Sequence, residues 1–299
     1  MLVNEQQYVK LVINKRNARY GEIDMKGYIN NSNVIFAFNI WDVNSAKAVL
    51  DAACDLRKDV ILQTSSSIYN KIDIEAIRYF ISYYSKQNTI RAWLHLDHCR
   101  NIDIIQDAIN KGYDSVMIDA SDKSLDNNIE ITNKVIEMAH EKKVLVEAEL
   151  GQIRGVEDEI ECDNSSKVKY REIDYFIKNV DVDMLAVAFG NAHGVYKGTP
   201  VLDYDIVRYV TENTDIPFVV HGGSGMSDDI LKKLISIHGV KKINISTDLK
   251  LAYREGIMNS ISSGLMEEEG FQSIKIEKEI HNSIMNIAEE KMKLLNRMD

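Results

Sequence analysis

Residues 90–118 read IRAWLHLDHCRNIDIIQDAINKGYDSVMI. A short β-rich stretch, Ile90–Leu96, ends on two polar residues, Asp97 and His98. An amphipathic segment follows at Ile102–Lys111, and a second β-rich stretch at Ser115–Ile118, with an Asn and a Gly at the breaks. A strand, a helix and another strand in this order make a βαβ unit, and its two strands run parallel because the helix carries the chain back to the end where it began.

The same alternation extends in both directions. Candidate strands lie at Val34–Phe38, Val60–Thr64, Ile90–Leu96, Ser115–Ile118, Val144–Ala148, Met184–Phe189, Phe218–Val220 and Lys242–Ile245. Helical segments such as Asn44–Asp55, Ile74–Lys86, Ile102–Lys111, Leu125–Glu141 and Asp203–Thr211 separate them. Eight βα units predict an α/β fold closed into a (β/α)8 TIM barrel, with an additional N-terminal helix before Val34 and two C-terminal helices ending in the amphipathic run Ile280–Leu295. No linker or low-complexity tract divides the chain, so residues 1–299 read as one domain. The longest interruption, from Gly151 to about Asp183, is rich in charge and contains Glu157-Asp158-Glu159; part of it is expected to form a mobile loop over the barrel mouth.

Composition narrows the partners. A hydrophobic fraction of 45% with 27% charged residues is that of an ordinary globular protein. The net charge of −10, without a basic stripe, disfavours nucleic acid. No stretch approaches the roughly 20 apolar residues that span a bilayer, and Asn4, Glu5 and Gln6 do not suit a signal peptide, so no membrane and a cytoplasmic address are expected. Cys54, Cys99 and Cys162 are odd in number and lack a C-x-x-C pair, which supports neither a disulfide framework nor a zinc finger. An anionic substrate must therefore be held locally, by backbone amides or a metal.

In a barrel, chemistry sits at the C-terminal ends of the strands. Those ends carry Asn39, Ser65, Asp97-His98, Asp119, Glu147 with Glu149, His193, His221 and Asn244. Each alone has an ordinary reading as a hydrogen-bonded loop residue. Together, three histidines and three carboxylate-bearing ends supply the nitrogen and oxygen donors that zinc or a similar cation prefers. His95 is left open between a supporting and a merely structural role. The runs Phe189-Gly190-Asn191-Ala192-His193-Gly194 and His221-Gly222-Gly223-Ser224-Gly225 set a histidine beside glycines, where backbone N–H groups can approach an anion, and Asn244-Ile245-Ser246-Thr247 adds hydroxyls.

These motifs, with Met117-Ile118-Asp119, Glu147-Ala148-Glu149-Leu150-Gly151 and Gly155-Val156-Glu157-Asp158, resemble class II fructose-bisphosphate aldolases and the related tagatose-bisphosphate aldolases, from about Phe36 to the C-terminal helix. The resemblance implies that His98, His193 and His221 bind a catalytic zinc or another divalent cation, with Asp119 and Glu149 around an alternative metal position. It implies Asp97 as the acid/base at the hydroxyl beside the bond being broken, and Glu157 as the group that moves a proton on and off the nucleophilic carbon. Gly194, Gly222, Ser224 and Thr247 match a cradle for the phosphate of dihydroxyacetone phosphate; Asn244 and Ser65 match substrate contacts, and Asn39 and Ser246 stand at the same mouth. A Na+ or K+ ion near that phosphate, and a homodimer or homotetramer, are also implied.

The sequence departs from the family at three places. Ile274 stands where an arginine grips the second phosphate of a sugar bisphosphate, Ser246 where an aspartate is usual, and Ser66-Ser67 in place of a glycine-bearing loop. An aliphatic side chain has none of a guanidinium's bidentate hydrogen bonds. The expectation is that dihydroxyacetone phosphate is kept as donor while the acceptor aldehyde is not glyceraldehyde 3-phosphate. Ordinary fructose- or tagatose-bisphosphate cleavage is the next reading. A metal-dependent isomerase or phosphohydrolase, or a non-catalytic phosphosugar-binding protein, would share the barrel and the cradle.

Overall fold

Every residue of the first strand, Ile35–Asn39, is buried, as happens when both faces of a strand are covered. The computed structural model describes residues 24–31, 34–157, 160–162, 168–196, 198–267 and 271–296; the side chains of 156, 157, 160–162 and 296 lie outside that description. The strands in chain order are β1 (Ile35–Asn39), β2 (Val60–Ser65), β3 (Ala92–Cys99), β4 (Ser115–Ile118), β5 (Leu145–Leu150), β6 (Arg154–Glu157), β7 (Ile160–Cys162), β8 (Met184–Val187), β9 (Ala192–His193), β10 (Phe218–Val220) and β11 (Val240–Ile245). The helices are α1 (Met25–Asn31), α2 (Val43–Leu56), α3 (Ser66–Tyr69), α4 (Ile74–Asn88), α5 (Ile102–Asn110), α6 (Leu125–His140), α7 (Tyr170–Asn179), α8 (Tyr204–Asn213), α9 (Asp228–Ile235), α10 (Thr247–Ser262) and α11 (Ser273–Lys293).

Strands β1, β2, β3, β4, β5, β8, β10 and β11 form a closed parallel barrel, in which β11 returns to β1 with Lys242 opposite Ile35 and Ile245 opposite Phe38. This is the TIM barrel expected from the βα alternation. Side chains two residues apart share a face, so β1, β2, β3, β5, β8 and β10 each feed two cores. Phe36, Phe38, Leu62, Leu94 and Val146 point outward into the layer under the helices. Ile35, Ala37, Ile61, Trp93, Leu145, Met184 and Val219 form a separate cluster, the inward set at the barrel's floor. Each buried Phe of the outer layer contributes ~1.5–3 kcal/mol by leaving water.

The N-terminal helix closes that floor. Met25 and Ile29 of α1 join the inner cluster, and Tyr28 packs on Trp93 with ring centroids 4.8 Å apart. Lys26 Nζ reaches Asp183 Oδ1 at 2.7 Å, and Asp183 also accepts from the Val146 amide. At the other end of the chain α11 packs on both α10 and α2. The α10–α11 crossing is close because Gly256 has no side chain: a Cβ there would lie 2.5 Å from Ile280 Cα.

Most strand boundaries differ from expectation by one or two residues, and two places matter for the site. β3 runs on through Asp97, His98 and Cys99, because Asp97 still pairs with Ser65 of β2 and Cys99 with Ile118 of β4 at the barrel's rim. The interruption after Gly151 contains regular structure among its described residues: β6 pairs antiparallel with β7 and parallel with β9, Gly155 facing His193, and α7 follows. Residues 158–159 and 163–167, part of the expected loop, lie outside the described residues. No helix among the described residues is long and apolar enough to cross a membrane.

Candidate active site

Moving up the barrel interior, the inward positions change from apolar to polar. Gln63 on β2, His95 on β3, Glu147 on β5 and Lys242 on β11 form a fully buried layer, each 0% exposed. Above them, at the mouth, lie Asn39, Asp97, Glu149, His221 and Asn244, also buried.

His98 reaches the same mouth by breaking strand alternation. The β3–β4 register slips by one residue between Leu96 and Cys99, and His98 has φ +42°. A bulge with a left-handed residue re-aims its side chain, at a cost of order 1–3 kcal/mol for a non-glycine residue. Asp97 and His98, adjacent in sequence, thus serve one site. His193 arrives on β9, between Gly190 at φ +92° and Gly194 at φ +85°. Asn191 fixes this turn by accepting from the Phe189 amide at 3.0 Å and donating to the His221 carbonyl at 2.9 Å.

The rings of His98, His193 and His221 stand nearly perpendicular to one another, with centroids 4.6–5.8 Å apart. One ligand atom from each, with one from Glu149, lies within 4.8 Å of all the others. His221 Nε2 is 2.8 Å from Glu147 Oε1, an oxygen that can only accept when ionised, so this nitrogen carries the proton. His221 Nδ1 then presents its lone pair toward His98 Nε2, 2.8 Å away. Burial first, then His98, holds the His221 pKa below the usual imidazole value, which keeps the ring neutral as a metal ligand requires. Burial works against ionised Glu147, yet Lys242, 2.6 Å from its Oε2, and His221 override it and hold the carboxylate well below its ordinary range.

These residues fit a divalent cation. Glu149 Oε2 is buried with no hydrogen-bond partner, and burial together with neighbouring Asp119 pushes the Glu149 carboxyl up to about 8. A cation would supply what that oxygen lacks, and three imidazole nitrogens with a carboxylate are a zinc-type donor set. Asp119 sits 3.7 Å from His98 Nδ1. Burial opposes its charge, but His98, Ser121 and Arg100 hold it far below the ordinary carboxylate range.

Asp97 is held by three side-chain amides. Asn39 Nδ2 and Gln63 Nε2 donate to its Oδ2 at 2.9 and 3.1 Å, and Asn244 Nδ2 donates to Oδ1 at 3.2 Å. Ser65 lies opposite Asp97 in the β2–β3 register, and its hydroxyl contacts that of Ser67 at 3.0 Å. An oriented carboxylate beside a cation site is arranged for proton transfer.

A second feature joins the loops after β9, β10 and β11. Gly222 has φ +68°, and a Cβ there would lie 2.1 Å from the Ala192 carbonyl oxygen. Tyr196 locks the approach, its hydroxyl accepting from the Ala192 amide and donating to the Gly222 carbonyl. Ser224 Oγ accepts from the amides of Ser246 and Asp248 at 3.0 and 3.2 Å. Ser246 Oγ is buried without a hydrogen-bond partner, and Thr247 begins α10, whose N-terminus favours an anion.

The structure thus brings together Asn39, Ser65, Asp97, His98, Asp119, Glu149, His193, His221 and Asn244, with Gly194, Gly222, Ser224, Ser246 and Thr247 beside them. The backbone of Glu157 lies on β6, opposite Ile160; its side chain is outside the described residues. Sequence reasoning passed over Gln63 and Lys242 and left His95 open. His95 proves a supporting residue, its Nδ1 2.7 Å from Ser115 Oγ and its Nε2 3.6 Å from Glu147. The available signal was a polar residue two positions before a polar strand end, hence on the same inward face.

Comparison with known proteins agrees with this geometry. The family described as fructose-bisphosphate aldolase class-II matches residues 26–299. The YdjI aldolase from Escherichia coli K12 is similar with a TM-score of 0.76 at 27% identity, covering 91% of this chain and 96% of that one. A Coccidioides immitis protein provisionally assigned as a fructose-1,6-bisphosphate aldolase gives 0.79 at 24% identity, covering 90% and 93%. The fructose-bisphosphate aldolase of Campylobacter jejuni gives 0.70 at 24%, covering 91% and 93%; at that identity the last two bear on the fold alone. With the family match spanning nearly the entire chain, this protein belongs to the class-II fructose-bisphosphate aldolase family.

Proposed function

We propose that the protein reversibly cleaves a ketose phosphate into dihydroxyacetone phosphate and an aldehyde, using a divalent cation, with zinc as the expected metal. The observation that carries this reading is the convergence of His98, His193, His221 and Glu149 within 4.8 Å, beside an oriented Asp97. A cation held there supplies Lewis acidity to the donor's ketone oxygen, so no Schiff-base lysine is needed.

The protein's own residues do the rest. In cleavage, Asp97 takes the proton from the hydroxyl on the far carbon as that carbon becomes an aldehyde, and the electron pair of the broken bond passes toward the ketone. Glu157 returns a proton to the donor carbon. In condensation both transfers reverse. Gly194, Gly222, Ser224, Ser246 and Thr247 bind the donor phosphate, with a Na+ or K+ ion nearby; Asn39, Asn244 and Ser65 orient the reacting end.

Ile274 is 71% exposed on α11, whose first turn lies at the mouth end, since Glu277 accepts from Asn44 of α2 at 3.1 Å. Its apolar side chain offers nothing to a second phosphate. The acceptor in this reading is therefore not glyceraldehyde 3-phosphate, although fructose- or tagatose-bisphosphate cleavage is the nearest alternative. A cytoplasmic homodimer or homotetramer in carbohydrate metabolism completes the proposal. The test is cleavage and condensation measured with chelator-stripped and zinc-reconstituted protein: activity should vanish and return. Carbon–carbon cleavage indifferent to chelation would overturn the mechanism, and a strong preference for glyceraldehyde 3-phosphate would overturn the acceptor assignment.

A further inference from the structure

Arg100 follows the proposed ligand His98 by two residues and turns back over the mouth. Its Nε and Nη2 both engage Asp119 Oδ2, at 3.1 and 3.0 Å. Asp119 Oδ1 is occupied by the amide and hydroxyl of Ser121 at 3.1 and 2.7 Å, so this carboxylate is fixed from both sides. The other guanidinium edge is different. Nη1 approaches Asp122 Oδ2 only to 3.8 Å, beyond hydrogen-bonding distance, and Asp122 has its own cation in Lys123 at 3.2 Å. Among the described residues, the two N–H groups of Nη1 and the remaining one of Nη2 have no hydrogen-bond acceptor. The side chain is 42% exposed and lies within electrostatic reach of Glu149.

A role limited to neutralising Asp119 would use the Nε edge and leave the rest to water. The open edge is a planar fork beside the cation site, the shape that binds a carboxylate or phosphate with two parallel hydrogen bonds. Two aspartates flank it, and each repels a dianion about twice as strongly as a monoanion.

We propose that Arg100 is a specificity-determining residue that holds the carboxylate of an aldehyde acceptor. This rests on the aldolase reading above. The test uses zinc-loaded wild type, Arg100→Gln and Arg100→Lys, with dihydroxyacetone phosphate and three acceptors: glyceraldehyde, a carboxylate-bearing aldehyde and glyceraldehyde 3-phosphate. The readout is the ratio of kcat/KM for the carboxylated over the neutral aldehyde, and it is expected to fall about tenfold to hundredfold in Arg100→Gln, mainly through KM, with Arg100→Lys between. Direct titration of the carboxylated aldehyde into each zinc-loaded protein, without donor, should show the same order of affinities. An unchanged ratio with unchanged affinity overturns the proposal, as does a ratio favouring the phosphorylated aldehyde that collapses in Arg100→Gln. If no acceptor condenses but the affinity difference persists, the aldolase reading has failed and Arg100 is left as a carboxylate-binding residue without an acceptor role, which overturns the proposal as stated.

Discussion

Replacing Glu147 by glutamine exchanges one carboxylate oxygen for an NH2 group and leaves the volume of the barrel interior nearly unchanged. Its effect should nevertheless be large, because Lys242, Glu147 and His221 are all 0% exposed and form one chain of contacts at 2.6 and 2.8 Å. Without the carboxylate, the Lys242 ammonium is left buried and unpaired, a loss that costs about 3–5 kcal/mol. With the one remaining amide oxygen turned to the Lys242 ammonium, the new NH2 faces His221 Nε2, which loses the acceptor that fixes its proton there, and removing such a partner weakens metal binding roughly 10–100-fold. Denaturant unfolding of the metal-free protein reads the first effect, and competition with a chromophoric chelator reads the second. Adding Lys242→Met to Glu147→Gln should restore most of the stability, since no charge is then stranded, while metal affinity stays low. If Glu147→Gln alters unfolding by less than about 0.5 kcal/mol, within the noise of surface substitutions, and leaves metal affinity unchanged, the buried chain has no such role.

Asp97→Asn should keep the metal content near that of wild type while kcat for cleavage drops about 10²–10⁴-fold, the usual range for a lost acid/base; undiminished turnover would remove Asp97 from proton transfer. Because the Glu149 carboxyl is raised to about 8 from an ordinary 4.5, the metal-free fold is stabilised below the lower value and loses that stability as pH rises toward the higher one. Cation binding must displace the same proton, so the gain in Tm on adding zinc should grow from about pH 6 to about pH 8, and Glu149→Gln should flatten that trend; a gain independent of pH would exclude Glu149 as a ligand. Gly222→Ala forces a Cβ to within 2.1 Å of the Ala192 carbonyl oxygen at φ +68°. A cost of about 1–3 kcal/mol in unfolding and a raised KM for dihydroxyacetone phosphate are expected; normal values of both would separate Gly222 from the cradle.

The barrel was legible because period-two strands and amphipathic helices alternate from Val34 to Thr247, and because polar residues stand at the strand ends where such a fold needs them. Three features were not. The bulge at Asp97-His98 leaves no mark in composition, so the strand was expected to end at Leu96; only the φ of His98 explains how two neighbours share one site. The layer beneath the mouth was hidden by its own chemistry. A lysine and a glutamine in strands read as rim or surface residues until the register sets Lys242 opposite Ile35 and Gln63 opposite Asn39, within the closed interior. The hairpin of β6 and β7 also escaped notice, since its charged residues carry no alternation strong enough to distinguish a small sheet from a connector.

The two sides of the site are built from different materials. On the proposed donor side, the cradle is backbone packed closely on backbone and fastened by two hydroxyls: Gly222 against Ala192, the Tyr196 hydroxyl bridging both, and Ser224 Oγ clasping the amides that open α10. A change there meets steric walls within about one bond length and disturbs the fold. On the proposed acceptor side, the distinctive positions are partly exposed side chains, Ile274 at 71% and Arg100 at 42%. Substitution of Ile274 costs little stability, whereas Arg100 is also the ion-pair partner of the buried Asp119. In the function proposed above, the acceptor can change through an exposed side chain such as Ile274 without moving the residues assigned to the cation or to the phosphate, and it is in the exposed side chains at the mouth that the chemistry of the acceptor should be sought.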